Sequence, residues 1–143
     1  FTSNKSITIC FTINVKKFSS RWVNIIDISN NNLSWYVRKP GIWLWPGKCA
    51  LNICRSTDYS WNEGIGTYSF PMNKDVHFRI IYDAENKEIL VYENNIYKTK
   101  FTCIGNFVPI EDDNAVWIAA NGTGENALIS KFSIEGGVYK PVR

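Results

Sequence analysis

Apolar and polar residues alternate without a break from Ser6 to Val15. Ile7, Ile9, Phe11, Ile13 and Val15 fall on one parity, and Thr8, Cys10, Thr12 and Asn14 on the other. A period of two with one polar face predicts a half-buried antiparallel strand. Trp22–Ser29 predicts a second strand, closed by Asn30-Asn31-Asn32. Trp35–Val37 and Gly41–Trp45 predict two short strands about Lys39-Pro40-Gly41. Pro40 holds Lys39 extended and Gly41 permits a turn. Beyond the Pro46-Gly47 turn, Ala50–Ser56 and Ile65–Tyr68 read as strands on either side of a polar, turn-rich stretch, Thr57–Gly64. Val76–Asp83, Glu88–Glu93 and Ile96–Phe101 predict a three-strand meander. Its second turn is Asn94-Asn95, and Asn tolerates positive φ better than most residues. Val116–Ala120 and Leu128–Glu135 complete the set. About ten short strands, with no helical periodicity and no long repeat, predict an all-β, antiparallel two-sheet β-sandwich or jelly roll.

Composition narrows the class. The 143 residues fit one domain spanning 1–143, and 45% hydrophobic residues exclude disorder. Ile, Phe, Tyr and Trp dominate the apolar set, which suits pleated, half-buried surfaces. A net charge of +3 is too weak for a nucleic-acid partner, and Lys16-Lys17 and Lys98–Lys100 are too short to form a basic patch. No apolar run approaches the ~20 residues of a membrane-crossing helix, so no membrane insertion is expected. The chain starts at Phe1 rather than Met, as expected of a fragment or a processed chain.

Candidate chemistry is sparse. Cys10, Cys49, Cys54 and Cys103 contain no CxxC, and His77 is the single histidine, so no metal site is expected. Free thiols are favoured over two disulfides, because a domain of this size does not need staples. Sequons stand at Asn4, Asn32 and Asn121. His77 has the parity opposite to Val76, Phe78, Ile80 and Tyr82 and is expected off the core, as a structural or surface residue. Catalytic residues are expected to be absent. Asp27, Asp58, Glu63 and Asp83 are available, but no spacing marks a pair for glycoside hydrolysis.

Binding is the better reading. Trp61, Tyr59, Asp58 and Asn62 share a polar loop, where an aromatic face for a sugar ring would sit beside hydrogen-bonding groups. Arg55 and Trp45, the latter next to the Pro46-Gly47 turn, complete the candidate ligand-binding set. Trp43 and Trp45 share parity, and packing in the core or between sheets is favoured for both, with a rim position beside the turn the alternative that makes Trp45 a candidate. Trp22, Trp35 and Trp117 are expected in the core. Arg38, Arg55 and Arg79 are expected solvated on a sheet face, with bidentate binding of an acidic sugar or a partner carboxylate as the alternative.

Two segments carry a family resemblance. Val37–Asn52, V-R-K-P-G-I-W-L-W-P-G-K-C-A-L-N, resembles the Arg-x-Pro-Gly-Ile-Trp…Pro segment of concanavalin A-like, laminin G-like jelly rolls. Val76–Thr99 resembles their late meander, and Leu128–Ile134 fits their closing strand beside the first. The resemblance implies two face-to-face antiparallel sheets and a lectin-like role in adhesion, binding glycans or protein partners. Some members use Ca²⁺, but no ligand cluster for it is evident here, and no cofactor is expected. The Glu-x-Asp-x-x-Glu set of related glucanases and the His-x-Asn-Pro-Arg set of galectins are absent. The expected function is therefore a non-enzymatic module binding a glycan or glycoprotein. The alternative is a structural or assembly protein using the sandwich for protein contacts, with a glycoside hydrolase a distant third. An extracellular, cell-surface or virion-associated setting fits either of the first two.

Overall fold

A computed structural model describes residues 5–29, 37–111, 113–119 and 126–141. Ten strands follow one another: β1 (Ile7–Val15), β2 (Val23–Ser29), β3 (Gly41–Leu44), β4 (Ala50–Arg55), β5 (Glu63–Ser69), β6 (Val76–Asp83), β7 (Glu88–Glu93), β8 (Ile96–Thr102), β9 (Ala115–Ile118) and β10 (Ala127–Gly136). They form two five-stranded sheets in the orders β10-β1-β6-β7-β8 and β5-β4-β3-β2-β9. Every pairing is antiparallel. The chain is an all-β two-sheet sandwich, as the alternation predicts.

The inner faces follow the parity of the sequence. Ile7, Ile9, Phe11, Ile13 and Val15 of β1 and Val76, Phe78, Ile80 and Tyr82 of β6 are buried from the first sheet, against Ile42, Leu44, Leu51 and Ile53 of the second. The β7–β8 turn is the expected two-residue turn, with Asn94 at φ 52° and Asn95 at φ 66°. Both central residues of a type I′ hairpin need positive φ. The closing strand β10 lies beside β1, and the C-terminal tail returns over the outer face of that sheet. There Thr8 Oγ1 donates to Gly137 O and accepts from Tyr139 N, while Arg79 Nη1 donates to Tyr139 O.

Several expectations change. Trp22 is exposed rather than core, because β2 starts one residue later. Arg55 is wholly buried rather than on a solvated face, because it shares the parity of Leu51 and Ile53. The strand expected at Trp35–Val37 lies outside the described residues except for Val37, as do the three sequon asparagines. All four cysteines are free thiols. No helix among the described residues is long and apolar enough to cross a membrane.

Candidate functional site

The outer face of the second sheet carries the candidate site. In β3 and β4, Ile42, Leu44, Leu51 and Ile53 point inward, so Trp43 and Asn52, which pair across the strands, point outward. The β4–β5 register shifts between Leu51 and Ile53, so Gly66 and Thr67 together oppose Asn52. Such a bulge redirects the backbone. Gly66 O is captured there by Trp45 Nε1 at 2.7 Å and Asn52 Nδ2 at 3.2 Å. A Cβ on Gly66 would meet nothing within 4 Å, so β5 leaves that area open.

Two walls rise from this floor. The first is Trp22 against Trp45, with ring centroids 4.2 Å apart. Gly47 N donates to Ser19 O, which ties the Pro46-Gly47 turn to the segment bearing Trp22. The second wall is Trp61 with Arg38. Ser56 joins their backbones: its Oγ accepts from Arg38 N and donates to Trp61 O, each at 2.9 Å. The Arg38 stem crosses Gly41, where a Cβ would stand 2.9 Å from its Cγ. Its guanidinium lies 4.9 Å from the Trp61 ring centroid and 5.9 Å from that of Trp43, within cation–π range. Nη1 donates to Asn62 Oδ1 at 3.0 Å and Asn52 Oδ1 at 3.3 Å. Trp22, Arg38, Trp43, Trp45, Asn52, Trp61 and Asn62 enclose a depression of about 460 Å³, within the range of small-molecule sites.

Beneath Arg38, Asp27 of β2 pairs with Gly41 and is fully buried. Neither carboxylate oxygen has a hydrogen bond of normal geometry. Burial pushes the carboxyl up to about 8, and the Arg38 charge and the Ser29 hydroxyl only partly offset it. At neutral pH Asp27 is therefore mostly protonated and adds little negative charge beneath the depression.

The Trp61 loop is braced from behind by Glu63. Its carboxylate accepts from Ile104 N at 2.7 Å, Gly105 N at 2.9 Å and Thr57 Oγ1 at 2.5 Å. Burial alone would raise its pKa, but these bonds outweigh burial and hold it below the ordinary 4.5. The stability Glu63 contributes is thus present above the unfolded pKa and lost as pH falls through the lower folded value. Glu63→Gln is expected to cost about 2 kcal/mol at pH 7, since bonds to a charged acceptor are the stronger kind. Denaturant melts from pH 7 down to pH 3 check this: the gap between the two proteins should narrow as pH falls below the unfolded pKa, and a gap that stays constant would contradict it.

Of the six residues read from the sequence as ligand-binding, Trp45, Trp61 and Asn62 line the depression. Tyr59 is exposed on the same loop but outside it. Asp58 accepts from Asn106 N and Nδ2, bonds that hold its carboxyl below the ordinary range and fasten its loop to the next. Arg55 faces the other way, into the core, where Nη2 donates to Lys5 O and Val108 O. The sequence reading left Trp22, Arg38, Trp43 and Asn52 out of the ligand-binding set, Arg38 and Trp43 because a solvated and a packed role were favoured for them. Parity could have placed Trp43 and Asn52 opposite the inward Ile42 and Ile53, whereas nothing in the sequence brings Trp22 to Trp45. Among the described residues, no three His, Cys, Asp or Glu side chains converge as metal ligands.

Fold and site define a two-sheet β-sandwich with an aromatic depression on one outer face. No protein-family model matches the chain, and no curated protein matches it significantly. Among solved structures it is similar to the botulinum neurotoxin serotype G binding domain, at TM-score 0.67 and 14% identity over 96% of this chain and 34% of that one. It is also similar to botulinum neurotoxin type C, whose cell entry depends on interaction with two ganglioside molecules, at TM-score 0.63 and 18% identity over 95% and 34%. A third is the binding domain of botulinum neurotoxin DC in complex with rat synaptotagmin II, at TM-score 0.58 and 19% identity over 96% and 33%. The chain spans about a third of each, and at these identities the likeness establishes the fold alone.

Proposed function

We propose that the protein is a non-enzymatic recognition module that holds a glycan, free or on a glycoprotein, in the tryptophan-walled depression. In this reading the sandwich is a jelly roll of the concanavalin A-like, laminin G-like kind. The observation that carries it is the joining of four indoles, two amides and one guanidinium in one open depression. Sugar rings present apolar faces for indoles to stack on and hydroxyls for amides to bond. Toxin binding domains of the same fold support a glycan or protein ligand: one belongs to a neurotoxin whose cell entry depends on gangliosides, and another is in complex with synaptotagmin II. No carboxylate lines the depression among the described residues, so a hydrolase is not proposed.

A glycan array probed with the wild type and Trp61→Ala tests the reading. Trp61 is 41% exposed, so its removal should spare the fold. Loss of a stacking indole is expected to weaken binding at least about tenfold, equivalent to ~1.4 kcal/mol. Equal binding by both proteins would move the site elsewhere. Silence across the array would favour the second reading, a protein-binding assembly module, for which the synaptotagmin complex of the same fold is the support.

A further inference from the structure

We propose that the depression takes a sugar ring bearing a negatively charged substituent, a carboxylate or sulfate, in preference to the same ring without it; this rests on the glycan reading above. Three observations carry the charge preference. First, the chain's own cations already lie on the indole faces. Arg38 stands over Trp61 and Trp43, and Lys48 Nζ lies 4.2 Å from the Trp45 ring centroid. A cationic ligand seeking those faces would meet like charge, and an anionic one meets opposite charge beside an apolar wall.

Second, the amide acceptors are engaged. Arg38 has only donors, so its bonds to Asn52 and Asn62 fix both carbonyl oxygens toward Nη1. Asn52 Nδ2 is spent on Gly66 O. With Oδ1 bonded to Arg38, the exposed Asn62 keeps Nδ2, a donor, for a ligand. A neutral sugar reads best against a mixture of donors and acceptors, because each hydroxyl both gives and takes a hydrogen bond. A carboxylate or sulfate only accepts, and this lining is biased to that need. Third, no Asp or Glu lines the depression among the described residues, and the nearby carboxyl of Asp27 is buried beneath Arg38. Its burial-raised pKa keeps it mostly protonated at neutral pH, so it sets little negative charge against an anion at the mouth.

The test is calorimetric titration of the whole chain with matched pairs: carboxyl-reduced hyaluronan hexasaccharide against hyaluronan hexasaccharide, and lactose against lactose 3′-sulfate. Hexaglutamate controls for charge without a ring. The acidic member of each pair is expected to bind about tenfold tighter at low salt, with the advantage shrinking as NaCl rises from about 50 to 300 mM. Lys48→Gln, an exposed change that should leave the fold intact, is expected to reduce the preference for the acidic member at least about threefold. Arg38→Gln should abolish the preference. Equal affinity for acidic and neutral members would overturn the inference and leave the glycan reading standing. Hexaglutamate binding as tightly as the acidic sugars would also overturn it, in favour of an acidic peptide. Binding of no sugar in either pair, with silence on the array, would remove the glycan reading and this inference together.

Discussion

Asp27→Asn is expected to raise the melting temperature at pH 9 by about 6–12 °C and to change it little at pH 4. The folded carboxyl stays protonated to about pH 8, whereas the unfolded one releases its proton near 3.8. Across that window the folded state holds a proton that the unfolded state has lost, so stability declines as pH rises. A tenfold change in an ionisation constant is worth ~1.4 kcal/mol, and partial relaxation of a buried ion reduces the total to about 3 kcal/mol. Asparagine keeps the shape and has no proton to lose. Thermal melts of both proteins across pH 4–9 check this. A lower melting temperature for the variant at pH 9 would mean that Asp27 is ionised and paired with Arg38, reversing the electrostatics assigned to the depression.

Arg55→Ala is expected to cost about 4 kcal/mol, roughly 10 °C in melting temperature. Arg55 is wholly buried; its Nη2 donates to Lys5 O at 3.2 Å and Val108 O at 2.7 Å, and its guanidinium lies 5.0 Å from the Phe107 ring centroid. Burial lowers its pKa to about 10, which still leaves it charged at neutral pH. Alanine would leave a large cavity and strand two carbonyls that the guanidinium now serves. Arg55→Met fills most of the space and loses the hydrogen bonds and the charge beside Phe107, so about half the cost is expected. Guanidinium-chloride melts separate the two contributions. A neutral Arg55→Ala would show that the unpartnered Nε and Nη1 atoms cost as much as the packing and the two bonds contribute.

The sandwich was legible because most strands keep one face dry. Alternation in β1 and β6 names the inner residues one by one, and Asn94-Asn95 names the hairpin between β7 and β8. The same parity reaches into β3 and β4. Arg55 falls in step with Leu51 and Ile53, and a charged residue in step with a core row is either buried or evidence against the strand. The expectation that arginines are solvated outweighed the pattern there. Trp43 and Trp45 share a parity, but the opposite one from Ile42 and Leu44, which puts Trp43 outward over the sheet rather than between sheets. The depression itself was only half legible. Trp61 and Asn62 announce themselves as a loop aromatic with a polar neighbour, whereas Arg38 reaches them only through Ser56 and across Gly41. Trp22 meets Trp45 because Gly47 bonds Ser19, a long-range contact that no local pattern encodes.

Ligand binding is proposed among Trp22, Trp43, Trp45 and Trp61. Two-dimensional NMR of the ¹⁵N-labelled indoles tests it most directly, during titration with the oligosaccharide that the array retains most strongly. Saturable shifts of those four indole N–H signals are expected, with Trp117 of β9 unmoved. Binding that shifts Trp117 and leaves Trp61 and Trp45 in place would contradict it.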